Sequence, residues 1–171
     1  DNLELASDLL LSGEIIIYPT DTLYGFGVDA TNTDAIQRLN RLKGRAQPLS
    51  IVLESIDQMH EYAEIHSSIQ IKVNQLFPGQ YTALLPAKKN KLSLLVQNGS
   101  PKIGIRIPEH FFPIKLIQLL EKPIITTSIN RHGTEPLNDV TQVEIDFPNV
   151  DIFEDSNHTS SIGSTIIDFT T

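Results

Sequence analysis

The 171-residue chain contains no cysteine. That excludes a disulfide framework and any zinc site built on thiolates, and it is compatible with a reducing compartment. No apolar run approaches the ~20 residues that span a bilayer, so no membrane partner is expected. The N-terminus shows no secretory pattern, and a cytoplasmic location is the expectation. Positive charge is missing from the last part of the chain. All 13 Lys and Arg lie at or before Arg131, where 13 acids balance them, and the other acids of the 21 follow. The net charge of -8 therefore belongs to the C-terminal stretch. A chain this acidic does not support a general nucleic-acid groove, so contact with RNA has no support from charge. Two local basic clusters remain, Arg38, Arg41, Lys43, Arg45 and Lys88, Lys89, Lys91. Each reads either as solvated surface or as an anion site.

What is present is ordinary globular material, 40% hydrophobic and 20% charged, at a length that suits one domain over residues 1–171. Helical spacing marks residues 3–11, a segment from Asn32 or Thr33 to Lys43-Gly44, residues 67–77 and residues 113–120. Strand-like runs lie at 14–18, 49–53, 81–85, 103–107, 123–127 and 164–168. The segment 131–149 is turn-rich and polar. Alternation of the two periods gives the α/β class. The connections do not form a regular βαβ series, so a mixed, twisted sheet is expected.

Residues 18–30, YPTDTLYGFGVDA, follow the first strand. Gly25, Gly27 and Ala30 fit G-x-G-x-x-A. A dinucleotide loop needs its glycines directly after the strand, whereas here Pro19 to Tyr24 intervene and Pro19 offers no N–H. The glycines are better explained by close backbone packing. Thr20, Asp21 and Thr22 form either a hydrogen-bonded turn or a polar ligand wall at a strand end. Lys43-Gly44-Arg45 at a helix end compensates the dipole around a glycine cap, or binds an anion. Ser128 and Asn130 share a face if the strand continues, and a hydroxyl beside an amide can read a nucleobase or ribose. Arg106 alternates away from Ile105 and Ile107, toward the surface or into a cleft as a carboxylate clamp. Ser164-Thr165 is equally open. The five histidines, His60, His66, His110, His132 and His158, show no metal spacing.

Taken together and in order, YPTDTLYGFGVDA, KGR, PGQYTALLPA, GIRIPEH, PIITTSINRHGTEP and GSTIID resemble the YrdC/Sua5 family of threonylcarbamoyl-AMP synthases, in its short YrdC-like form. The resemblance implies an open, twisted, mixed α/β sheet with flanking helices around a concave cleft, the YrdC/RibB-like architecture. It implies a nucleotidyltransferase that converts L-threonine, bicarbonate and ATP to threonylcarbamoyl-AMP and pyrophosphate. A separate tRNA threonylcarbamoyl transferase complex then modifies adenosine-37 of tRNAs reading ANN codons, giving t6A. By the same resemblance Thr20, Thr22, Arg106, Ser164 and Thr165 serve threonine. Lys43 and Arg45 hold the ATP phosphates and do the catalytic charge neutralisation. Ser128, Asn130 and Asn138 contact the nucleotide. No protein metal ligands are implied, and Mg2+ would be held mainly through the phosphates. The alternative is a YciO-like homologue that binds RNA or nucleotide without synthase activity. Departures from the family pattern are a shortened loop after Arg45 (Ala46-Gln47-Pro48-Leu49), Val52 where some members carry histidine, Ile129 inside the S-x-N block, and no arginine–glycine block after GSTIID.

Overall fold

The computed structural model describes residues 2–160 and 162–171. Its helices are α1 (Asn2–Leu11), α2 (Thr33–Lys43), α3 (Ile56–Tyr62), α4 (Ser67–Leu76), α5 (Leu94–Gln97), α6 (Phe111–Leu120) and α7 (Val140–Asp146). Its strands are β1 (Ile16–Tyr18), β2 (Gly25–Gly27), β3 (Ser50–Val52), β4 (Tyr81–Pro86), β5 (Lys102–Arg106), β6 (Ile124–Ser128), β7 (Asp151–Ile152) and β8 (Thr165–Asp168). The eight strands form an open mixed sheet in the order β7-β1-β2-β6-β3-β5-β4-β8. Among the described residues no helix is long and apolar enough to cross a membrane.

Period-two alternation divides the sheet into two unequal faces. Ile17, Phe26, Ile51, Ala83, Leu85, Ile103, Ile105 and Ile125 enter the larger core. Helices α2, α3, α4, α5 and α7 cover it with Ile36 and Leu39, Met59, Val73, Val96 and Val143. Each such side chain contributes roughly 1.5–3 kcal/mol when fully buried. Ile16, Tyr18, Val52 and Ile124 point the other way into a smaller core, closed by Leu10 of α1 and Leu116, Ile117 and Leu120 of α6. That second face is only partly covered. Beyond its apolar patch the same face of the sheet carries Ser50, Thr82, Gly104, Arg106, Thr126 and Ser128, and there a cleft opens.

Five elements lie outside the sequence reading, β2, α3, α5, α7 and β7, and three of them show why. Residues 25–27 are a strand paired with both β1 and β6, where glycine had suggested a loop. The close packing expected of these glycines is present: a Cβ on Gly27 would lie 2.7 Å from Tyr18 Cε1. Helix α7 occupies part of the polar 131–149 segment and buries only Val143, too little apolar surface to register as a period. Helix α3 likewise buries only Met59. Its start does carry a readable signal, with Ser55 Oγ accepting from Gln58 N–H and Gln58 Oε1 accepting from Glu54 N–H.

Candidate functional site

The cleft has a volume of about 310 Å³ and is lined by hydroxyls, two arginines and no carboxylate. Its floor follows from strand register. Ser50 lies opposite Thr126 on β6 and Gly104 on β5, and Gly25 lies opposite Ser128. Gly104 keeps that floor low, since a Cβ there would meet Ser50 Oγ at 2.5 Å.

The wall is the turn from Pro19 to Tyr24. Thr20 Oγ1 accepts from Thr22 N–H at 3.0 Å and donates to the Leu23 carbonyl at 2.7 Å. This is a hydroxyl-closed turn. Thr20 is spent on folding the wall, and Thr22 is what the wall presents. Its hydroxyl accepts from Arg106 Nη2 at 2.8 Å and lines the cleft. The Thr-Asp-Thr cluster is thus a hydrogen-bonded turn that sets Thr22 in the cleft lining. Arg106 is buried inside the cleft, not on the surface, and is paired with Asp21 at 2.9 Å. Burial lowers the Arg106 pKa, against the opposing pull of Asp21. Its Nε–H is buried and has no hydrogen-bond acceptor among the described residues.

At the other end stand Lys43, Arg45 and Ser128. Helix α2 starts on an Asn32 cap and ends at Gly44, whose φ of 74° lets Arg45 N–H return to the Asn40 carbonyl. That reversal parts the two cations. Arg45 lines the cleft beside Gln47, Pro48 and Leu49, so the short loop still forms part of the wall. Lys43 instead turns inward and is 1% exposed. Its ammonium donates to the Ser128 carbonyl and to Asn130 Oδ1, the latter at 3.1 Å, and sits 5.7 Å from the Phe26 ring. Burial, and then the neighbouring Arg45 charge, lower its pKa from 10.5 to about 8. Ser128 Oγ also donates to Asn130 Oδ1 at 2.7 Å, and Asn130 Nδ2 donates to the Thr134 carbonyl. The S-x-N pair does come together. Ser128 faces the cleft, with Asn130 and Lys43 behind it. Ile129 and Val52 are fully buried in the two cores.

The remaining sequence candidates separate. Ser164 lines the cleft, hydrogen-bonded to Thr82 Oγ1 at 2.6 Å. Thr165 is exposed on β8, outside the lining. Asn138 is a tie: its Oδ1 accepts from Tyr24 N–H at 2.9 Å, and its Nδ2 donates to the Ser160 carbonyl at 2.7 Å.

Residues that sequence reasoning passed over include Ser50, Thr82 and Thr126 of the floor, which strand parity alone would have placed with Arg106 once the register was known. His158 also belongs here, not among anonymous surface groups. Its Nε2 donates to the Thr22 carbonyl at 2.6 Å, and its ring lies 4.5 Å from that of Tyr24. His110 pairs with Asp155 at 2.9 Å, which fastens the same segment to the start of α6. Among the described residues no three His, Asp or Glu side chains come together as a metal site.

Chemically, the cleft can hold a carboxylate at the Arg106–Thr22 end and a phosphate chain at the Arg45–Ser128 end. Comparison with known proteins shows the family. The Sua5/YciO/YrdC family model, described as telomere recombination, matches residues 8–171. The chain is 30% identical over 173 residues to a threonylcarbamoyl-AMP synthase of Pyrococcus abyssi, covering 98% of this chain and 51% of that protein. It is 33% identical over 149 residues to a threonylcarbamoyl-AMP synthase of Photobacterium profundum, covering 84% and 80% respectively. Among solved structures, P. abyssi Sua5 complexed with L-threonine matches with a TM-score of 0.88 at 29% identity, over 99% of this chain and 51% of that one. The chain thus spans about half the length of the P. abyssi protein.

Proposed function

Because the chain belongs to the Sua5/YciO/YrdC family, we propose that it is an L-threonylcarbamoyl-AMP synthase, a nucleotidyltransferase using L-threonine, bicarbonate and ATP. The observation that carries this reading is that one cleft holds an arginine beside a hydroxyl at each of two ends. The buried Arg106 and the Thr22 hydroxyl stand at one end, and Arg45 and Ser128 at the other. A relative of the same fold is described in complex with L-threonine, and curated relatives carry the synthase name.

In this reading the threonine carboxylate lies against Arg106 and Thr22, with Thr82 and Ser164 alongside. The amine takes up bicarbonate, releasing water, to give the carbamate. A carbamate oxygen attacks the α-phosphorus of ATP. The new O–P bond forms as the bond to the β-phosphate oxygen breaks, and pyrophosphate leaves with that electron pair. The protein's part is positioning and charge neutralisation. Arg45 meets the phosphates from the cleft wall. Lys43, buried behind Ser128, donates to the Ser128 carbonyl and Asn130 Oδ1, so it holds that wall in place and adds its positive charge to the field there. Ser128 and Asn130 form the nucleotide side, and Asn138 holds the turn beneath it. A Mg2+ ion would be carried by the phosphates, because the lining offers no carboxylate; it would neutralise charge on the leaving pyrophosphate.

The continuous sheet from β7 to β8 supports reading residues 1–171 as one YrdC-like domain. We place the reaction in the cytoplasm, with a tRNA threonylcarbamoyl transferase complex consuming the product in t6A37 formation. The test is pyrophosphate release from ATP, threonine and bicarbonate. Threonine-dependent release that is lost in Arg45→Ala supports the synthase. Release that ignores threonine contradicts it.

A further inference from the structure

The turn that presents Thr22 also carries Asp21, an acid whose side chain is largely covered and does not line the cleft. We infer that Asp21 is the positioning residue that aims Arg106 at the carboxylate of the amino-acid substrate, a role that rests on the threonine reading of the cleft. Asp21 joins three segments to its own turn. Its Oδ1 accepts from Arg106 Nη2 at 2.9 Å, at the end of β5. Its Oδ2 accepts from Glu109 N–H at 2.8 Å, on the approach to α6. Its backbone carbonyl accepts from Gln80 Nε2, just before β4. Both side chains of the Asp21–Arg106 pair are 8% exposed.

The geometry decides what the acid does. Arg106 Nη2 is held from two directions, by Asp21 and by Thr22 Oγ1. Two bonds to one nitrogen fix the plane of the guanidinium, and a planar fork recognises a carboxylate only when its plane is set. Nε–H remains buried without an acceptor among the described residues. An arginine released from Asp21 keeps its charge but regains rotamer freedom, which substrate binding must then remove. Asp21 therefore acts on substrate only through Arg106.

Asp21→Asn is the informative variant. The amide keeps the shape, but one of its two ends must now point a donor at Arg106 or at Glu109 N–H, and both of these are donors. Calorimetric titrations with L-threonine, L-threoninol (the same molecule without its carboxylate) and ATP separate aiming from bulk stability. Wild-type protein is expected to prefer threonine to threoninol by at least about tenfold, the value of a charge-assisted pair. Asp21→Asn is expected to lose most of that preference while ATP affinity stays within about twofold. Should Asp21→Asn not fold, Asp21→Glu, which keeps the charge but displaces the carboxylate, is expected to erode the same preference. Equal weakening of threonine and threoninol, or an unchanged preference, overturns the proposal. The Arg106 Nε–H resonance of ligand-free protein gives a readout independent of substrate. It is expected to be sharp in the wild type and broadened in Asp21→Asn. Wild-type protein that shows this sharp resonance but binds no threonine contradicts the synthase reading, while broadening in the variant still supports the hold of Asp21 on Arg106.

Discussion

Replacing Lys43 by methionine should remove a pH dependence from the stability of the whole protein. The Lys43 ammonium is 1% exposed, and its pKa falls from 10.5 to about 8. The folded state therefore binds this proton less well than the unfolded chain does. Below pH 8 both states carry the proton and folding bears the full cost of burying it. Between pH 8 and 10.5 the unfolded chain holds more protons than the native state, so stability rises with pH. At about 1.4 kcal/mol per unit, the full rise is about 3 kcal/mol, with about 2 kcal/mol of it between pH 8 and 9.5. Against a typical total of roughly 5–15 kcal/mol that is readily measured. Tyr18 stays outside this window. Burial pushes its pKa from 10.0 up to about 12, so the stability it contributes is lost only between those values. The assay is urea unfolding at steps from pH 7.5 to 9.5 on wild type and Lys43→Met, reading the difference between them. The variant leaves the Ser128 carbonyl and Asn130 Oδ1 short of one donor, a fixed offset that does not change with pH. The difference should shift by about 2 kcal/mol in favour of wild type as pH rises. A constant difference across the range refutes the buried-ammonium account.

Two further substitutions separate packing in the sheet from function in the cleft. Gly27→Ala places a Cβ 2.7 Å from Cε1 and 3.1 Å from Cδ1 of Tyr18. The Tyr18 ring is fully buried and its hydroxyl donates to the Ile125 carbonyl. The ring has little room to retreat, so the cost should be about 1–3 kcal/mol in urea unfolding, and an unchanged midpoint would contradict this packing. Arg45→Ala should do the reverse. The side chain lines the cleft beside Gln47 and Pro48. Stability should hold within about 0.5 kcal/mol, while pyrophosphate release falls at least about tenfold. A stable variant with full turnover removes Arg45 from the phosphate end.

Much of this arrangement is legible before any coordinates. The Asn32 cap and Gly44 stop bound α2 within a residue, because capping chemistry is local. β1 and β6 announce themselves through β-branched runs, and β4 and β5 through short apolar stretches. What escaped is what depends on partners distant in sequence. β2 is built from Gly25-Phe26-Gly27, and nothing local says strand; it forms because β1 and β6 pair with it, and at Gly27 the Tyr18 ring leaves no room for a Cβ. α3 and α7 each anchor a single buried residue. The Arg106 face could not be decided from Ile105 and Ile107, since alternation separates faces without saying which one is covered. Lys43 and Arg45 are separated by one glycine, and only the left-handed turn at Gly44 reveals that one cation faces the cleft and the other is buried behind it. Asp21 looked like turn chemistry, and its bonds reach Arg106 and Glu109, more than eighty residues away along the chain.

The central claim is that one cleft joins a threonine carbamate to AMP. The direct measurement is incubation of the protein with ATP, threonine and 13C-labelled bicarbonate, followed by mass analysis of the nucleotide products. The account predicts an AMP adduct bearing both the threonyl mass and the 13C label, absent when threonine is omitted and strongly reduced in Arg45→Ala. An adduct without the label, or ATP cleavage with no threonine-dependent adduct at all, would contradict it.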